Sequence, residues 1–191
     1  MENHNPLPIY IALGGNLHHP VHGAPVRTLT AALQALASRG AAIRRVSPWY
    51  RTAPVPASDQ PWYVNAVAEI DTDWPADRLL AELHAVEAAF GRVRSDVNAA
   101  RLIDLDLIDY RGETARGGPG QATLPHPRLE GRAFVLRPLA DLAPDWRHPR
   151  TGTGIRDLLR GLPADQVAER LPAGAAAGGG QEGLPFPGSR V

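Results

Sequence analysis

The segment RLIDLDLIDY, Arg101 to Tyr110, sets two carboxylates one residue apart inside a run of Leu and Ile. Side chains along a β-strand alternate between faces. Ile103, Leu105 and Leu107 therefore share one face, suited to a core, and Asp104 and Asp106 share the other. A strand built only for burial has no use for two acids about 7 Å apart on one side. They repel unless a cation lies between them, and hard oxygen ligands at this spacing suit Mg²⁺, including a pair of ions about 3.5–4 Å apart. An isolated D-x-D is more often the solvated face of an edge strand, so the rest of the chain has to decide.

Upstream, PIYIAL alternates Ile9, Ile11 and Leu13 against Tyr10 and Ala12, a strand ending at Gly14-Gly15. From Pro25 the spacing becomes helical, with Leu29, Leu33 and Leu36 on one stripe and Gly40 as the stop. AAIRRVSPWYRT reads as a second strand. WYVNAVAEID reads as a third, with Val64, Ala66, Ala68 and Ile70 on one face and Tyr63, Asn65 and Val67 on the other. Asp73 or its turn caps a second helix that starts near Pro75, carries Leu79, Leu80, Leu83, Val86 and Phe90, and ends at Gly91. With RLIDLDLIDY as the fourth strand, the order is βαββαβ, the split βαβ pattern of a ferredoxin-like α+β sandwich. Two helices would cover one face of an antiparallel sheet, leaving the other for loops and a site. A short helix is expected near 154–162. Residues 1–163 form the domain, and 164–191, rich in Gly, Pro and Ala and most extreme from Pro172 on, form a tail expected to be disordered.

Composition excludes several classes. The 191 residues, 43% hydrophobic and 21% charged, suit one globular domain. Twenty basic residues balance twenty acidic ones, which gives no footprint for nucleic acid or an anionic membrane. Cys is absent, so disulfide and thiolate chemistry are excluded. The opening MENHNPLPIY does not resemble a secretion signal, and no stretch has the length of a membrane span, so a cytoplasmic protein is expected. Every basic residue is Arg and Lys is absent, so a P-loop of the form G-x-x-x-x-G-K-[ST] cannot exist here and any phosphate must be held without lysine.

Arginines do cluster beside the acidic strand. GRVRSDVNAAR places Arg92, Arg94 and Arg101 just before it, and HPRLEGR brings His126 and Arg132 after it. Guanidinium forks bind phosphate oxygens bidentately and stabilise a transferring phosphoryl group, so this loop reads as a polyphosphate clamp. Other features have plainer readings. His18, His19 and His22 form a solvated surface cluster; Asp109 is a solvated carboxylate at the strand end; and Trp49, Trp62, Trp74 and Trp146 are packing residues, with Trp62 beside the presumed site.

IYIALGGNL, RVSPWYRTAPV, DQPWYVNAV, EAAFGRVR, ARLIDLDLI and LPHPRLEGRAFVLRPL together resemble the 6-hydroxymethyl-7,8-dihydropterin pyrophosphokinases of folate biosynthesis, in that family's order and nearly its spacing, over roughly residues 8 to 162. The resemblance implies the same α+β fold and transfer of the β,γ-pyrophosphoryl group of ATP to the pterin hydroxymethyl oxygen, leaving AMP. It implies two Mg²⁺ ions on Asp104 and Asp106, and a pterin ring held between Tyr63 and Phe134 with Thr52, Asn65 and the backbone near Val55 at its polar edge. It assigns Glu87, Arg92, Arg94, Arg101, Leu107, Thr123, His126 and Arg132 to ATP, with Arg92 and Arg101 catalytic. His126 would donate to a phosphate oxygen, and no side chain is assigned as base. The expected partners are ATP and the pterin, with no nucleic acid or membrane, and the chain is expected to be a monomer.

Three departures stand out. VNAAR puts Asn98 where the family often has a tryptophan able to close over the site, in a loop about one residue shorter. Gly14-Gly15-Asn16 replaces a frequent Gly-Ser-Asn, and Gln121 stands at a basic position. Two other classes compete: a two-metal nuclease, disfavoured by zero net charge, and a ferredoxin-like binding module, whose RNA-binding version lacks an RNP1-like run.

Overall fold

The computed structural model describes residues 7–92 and 100–173. In chain order the elements are β1 (Ile9–Gly15), α1 (Pro25–Arg39), β2 (Ala42–Val46), β3 (Tyr50–Thr52), β4 (Tyr63–Asp71), α2 (Ala76–Ala89), β5 (Asp104–Tyr110), a 3-10 turn (Leu129–Gly131), α3 (Ala133–Leu142), α4 (Ile155–Arg160) and β6 (Ala168–Arg170). They build a mixed α+β fold on one antiparallel sheet ordered β5-β1-β4-β3-β6, with β2 also beside β4.

β2 and β3 are the two halves of the strand expected over AAIRRVSPWYRT. Pro48 has no N–H for a ladder. Ser47 keeps the neighbouring rung: its N–H donates to Val67 O at 2.9 Å and its hydroxyl accepts the Val67 N–H at 3.0 Å. α1 ends as expected at Gly40, whose φ of 119° lies in the left-handed region and whose N–H reaches back to the last turn. The α2 start differs, because Pro75 occupies the N-cap position and no side chain, Asp73 included, caps the helix.

β1 is buried along its whole length, which decides the layering. On one face Ile9, Ile11 and Leu13 join Ala66, Ala68, Ile70, Leu105 and Leu107 under Leu29 and Leu36 of α1 and Leu79 and Leu83 of α2. On the other, Tyr10, Ala12, Val67 and Ile108 pack against Val135, Leu136 and Leu139 of α3 and against Trp146. The expectation of helices on one face only is therefore corrected: α3 covers part of the second. Its stripe was disguised by Pro138, which reads as a helix breaker yet sits inside the helix.

A bulge in β5 also escapes simple alternation. Tyr10 pairs with Asp109 but Ile11 with Leu107, so Ile108 is an extra residue. The bulge puts Asp109 on the face of Tyr10 and Ala12, and there, under α3 and Trp146, it is 4% exposed rather than solvated. It accepts the Trp146 indole N–H at 2.7 Å and the Gly112 N–H at 2.9 Å.

β6 pairs with β3 from Ala168 to Arg170. The segment assigned to a tail from residue 164 thus begins with ordered backbone, and its part beyond 173 lies outside the described residues. No helix among the described residues is long and apolar enough to cross a membrane.

Candidate active site

Register builds the site. Gly14 of β1 pairs with Asp104 on one side and Asn65 on the other, so the three lie in one row across the sheet. Two inter-strand steps put Asp104 and Asn65 about 10 Å apart. Gly14 lies between them as the floor: a Cβ there would be 2.8 Å from Asn65 Oδ1 and 3.9 Å from Asp104 Cβ. Glycine is required at this point to keep the space open.

Above the row lies a cleft of about 300 Å³. One end is lined by Thr52, Tyr63, Asn65, Phe134 and the Pro54–Val55–Pro56 turn. Thr52 and Asn65 are nearly inaccessible, and the Asn65 amide donates to the Thr52 hydroxyl at 2.7 Å. This bond fixes the Asn65 rotamer and aims its oxygen toward the Gly14 floor. Two aromatic rings beside a buried amide–hydroxyl pair suit a flat heterocycle with a polar edge.

The other end is ionic, lined by Arg92, Arg101, Asp104, Asp106, Arg128 and Arg132. Arg92 and Arg101 each reach Asp104 at 2.9 Å, and Arg132 reaches Asp106 at 3.2 Å while lying over the Phe134 ring. Burial, then the charge of Asp106, raises the Asp104 carboxyl, and the three arginines oppose that rise. His126 is held below the ordinary imidazole value by burial, against the pull of Asp106. Its Nδ1 accepts the Arg128 N–H at 3.2 Å, which leaves the proton of the neutral ring on Nε2, 3.7 Å from Asp106.

Glu87 serves the site from behind. It is 3% exposed, and its Oε1 accepts the Leu105 N–H at 2.6 Å and an Arg92 guanidinium N–H. Burial raises its carboxyl to about 7 despite those donors. It thereby ties the end of α2 and Arg92 to the strand that carries both aspartates.

Asp104 and Asp106 fit a magnesium site in their chemistry. Both are partly exposed carboxylates on one strand face and open to the cleft. No cluster of three or more His, Cys, Asp or Glu side chains able to hold a metal occurs among the described residues. Mg²⁺ characteristically takes one or two protein carboxylates and completes its shell with water and substrate phosphate.

The structure thus brings Thr52, Val55, Tyr63, Asn65, Arg92, Arg101, Asp104, Asp106, Arg132 and Phe134 to one cleft, with His126 beside Asp106. It does not bring Leu107, whose side chain is in the core, or Thr123, which does not line the cleft. Among the described residues Glu87 meets the site by hydrogen bonds to Arg92 and to the Leu105 N–H. Arg94 and Asn98 lie outside the described residues. Sequence reading missed Gly14 as the floor and Arg128 as a cleft residue. Arg128 was visible inside HPRLEGR, two positions after His126. The histidine cluster is partly packed, with His22 stacked on Phe90 at 4.8 Å between ring centroids.

The sequence profile of the 7,8-dihydro-6-hydroxymethylpterin-pyrophosphokinase family matches residues 10–144. The chain is 40% identical to a Pseudomonas aeruginosa 2-amino-4-hydroxy-6-hydroxymethyldihydropteridine pyrophosphokinase, over 86% of this chain and 96% of that one. With the protein of the same name from Synechocystis it shares 35% identity over 90% of this chain and 84% of that one. It is also 32% identical to the folic acid synthesis protein fol1 of Pneumocystis carinii, covering 86% of this chain but only 21% of that longer protein. In fold it resembles a Plasmodium falciparum HPPK-DHPS crystal structure, with a TM-score of 0.60 at 14% identity over 84% of this chain and 45% of that one. Cleft and sequence agree, and the chain belongs to the 7,8-dihydro-6-hydroxymethylpterin-pyrophosphokinase family.

Proposed function

We propose that the chain transfers the β,γ-pyrophosphoryl group of ATP to the hydroxyl of 6-hydroxymethyl-7,8-dihydropterin, giving AMP and the pterin diphosphate, a step of tetrahydrofolate biosynthesis. One observation carries the reading. A cleft with an aromatic, amide-bearing end and an arginine–aspartate end is joined by the single row Asp104–Gly14–Asn65. That length suits a bicyclic ring whose hydroxymethyl arm points at phosphate.

Tyr63 and Phe134 take the two faces of the ring, and Thr52, Asn65 and the backbone at Val55 take its polar edge. Arg92, Arg101 and Arg132 hold phosphate oxygens through their forked N–H groups, and Arg92 and Arg101 meet charge that develops during transfer. The His126 Nε2–H faces the same anions. Asp104 and Asp106 would hold two Mg²⁺ ions, which when bound neutralise phosphate charge and polarise the acceptor hydroxyl. The cleft walls align hydroxyl and β-phosphorus for in-line displacement, so positioning supplies most of the acceleration.

The strand order supports a ferredoxin-like core, if β2 and β3 are taken as one interrupted strand and α3, α4 and β6 as additions. We read the chain as a cytoplasmic monomer that uses neither nucleic acid nor membrane.

The test is AMP release from ATP, Mg²⁺ and the pterin, with pterin-free and Asp104→Asn controls. Pterin-dependent AMP that the substitution abolishes is expected. Metal-dependent cleavage of nucleic acid without pterin-dependent AMP would overturn the reading.

A further inference from the structure

We propose that Asn16 is a positioning residue for this reaction, fixing the Arg101 backbone at the ionic end of the cleft to the Gln60–Pro61 turn at the ring end. The inference rests on the functional reading above. Asn16 follows β1 directly, is 3% exposed and does not line the cleft. An amide has one acceptor oxygen and two donors, and here both kinds are engaged with distant chain. Oδ1 accepts the Arg101 N–H at 2.8 Å, while Nδ2 donates to Pro61 O at 3.0 Å and reaches Gln60 Oε1 at 3.4 Å. These partners lie 85, 45 and 44 residues away, so the side chain does more than cap its own turn.

Each arm continues into the site. The Asn16 N–H donates to Arg101 O at 3.0 Å, so both backbone groups of Arg101 are held by one residue, and the Arg101 guanidinium reaches Asp104 at 2.9 Å. On the other arm Gln60 Oε1 accepts the Tyr63 hydroxyl at 3.2 Å. Gly15 lets the two backbones approach closely in this chain. A Cβ there would lie 2.7 Å from Leu102 O, so the serine frequent at this position in the family would need the Arg101–Leu102 backbone to sit slightly farther from the end of β1 than it does here.

Asn16→Ala leaves the Arg101 N–H and Pro61 O without their partner and releases both segments. Asn16→Asp keeps the acceptor for Arg101 but loses both donors. Gln60→Ala cuts the ring-side arm at a half-buried position. The experiment measures kcat for AMP formation at saturating substrates, separate equilibrium binding of a non-hydrolysable ATP analogue and of the pterin, and thermal unfolding of each full-length variant. Wild-type turnover reports on the functional reading itself: if it is absent that reading fails, and if it is present the variants judge Asn16 alone.

The expected result is a kcat lowered about ten- to a hundredfold in Asn16→Ala, the scale of a misplacement of about 1 Å. Pterin binding should weaken in all three variants, and binding of the ATP analogue should weaken in Asn16→Ala but not in Asn16→Asp or Gln60→Ala. A folded Asn16→Ala with kcat within about twofold of wild type overturns the proposal. So does an Asn16→Asp variant that loses both ligands equally, because a purely structural residue would act that way. Should Asn16→Ala fail to fold, Gln60→Ala decides: unchanged pterin binding there is also a refutation.

Discussion

Replacing Glu87 by Gln should flatten the decline of stability with rising pH. Burial raises the folded-state carboxyl of Glu87 from an ordinary 4.5 to about 7. Below 4.5 both folded and unfolded chains hold the proton, so the group contributes no difference there. Between the two values the unfolded chain has released its proton while the folded chain keeps it, so stability falls as pH rises; above about 7 both are ionised and the full loss is in place. The rise corresponds to about 3 kcal/mol in total, of which about 2.5 falls between pH of about 5 and about 8.5. Gln suits the site because Oε1 alone accepts both the Leu105 N–H and the Arg92 N–H. The protonated acid carries its hydrogen on the other oxygen, where Gln has its NH₂ group.

The assay is urea unfolding of both proteins at those two pH values in chelator-containing buffer. Asp104 and Asp109 are also raised by burial, but both proteins retain them, so their effect cancels in the difference. The wild type should lose about 2–3 kcal/mol more than the variant over the interval. Parallel losses, within about 0.5 kcal/mol, would refute the claim that Glu87 folds as a neutral acid.

Gly14→Ala places a methyl group against Asn65 Oδ1; pterin affinity, measured by titration, should fall by about 1–3 kcal/mol, or roughly ten- to a hundredfold, with ATP-analogue binding kept. Arg128 lines the cleft, and no ion pair of its guanidinium is found among the described residues; Arg128→Ala should weaken ATP binding about five- to tenfold and reduce its salt dependence, read as KM against ionic strength. Trp146→Phe removes a donor from the buried Asp109 carboxylate, so urea unfolding should show about 1–3 kcal/mol of destabilisation while activity at low temperature is retained.

Legibility in the sequence followed periodicity. Asp104 and Asp106 were separable from Leu105 and Leu107 because alternation holds over that part of β5, before the bulge, and Tyr63 and Asn65 separated from Ala66 and Ala68 by the same alternation in β4. β1 hid its second face because Tyr10 and Ala12 are compatible with either environment, and with it went the signal that α3 must exist to cover them. Asp109 was misread because the bulge puts it on the face of Tyr10 and Ala12, and the cover of that face by α3 and Trp146 is a tertiary fact with no local signature. Gly14 could not be seen as a floor because its role depends on register between three strands, which no local pattern encodes. Glu87 was found by resemblance, but its position behind the cleft depends on how α2 meets β5, a tertiary fact.

The ionic end of the cleft is arranged for an exchange of partners. Asp104 is matched by Arg92 and Arg101, and Asp106 by Arg132, so these acids and arginines are paired where they are partly buried. On the functional reading, ATP would bring phosphate oxygens for the arginines while the acids would hold its metal ions, so the separated charges would be matched again and the penalty of breaking these pairs largely offset. Neutralising one acid therefore has two opposed effects. On that reading Asp104→Asn would remove a metal ligand, but it also relieves the repulsion from Asp106 and would free Arg92 and Arg101 to meet phosphate. Nucleotide affinity should change little, or tighten, while turnover collapses. For that reason AMP release, rather than ATP binding, is the measurement that reports whether the two aspartates perform the chemistry.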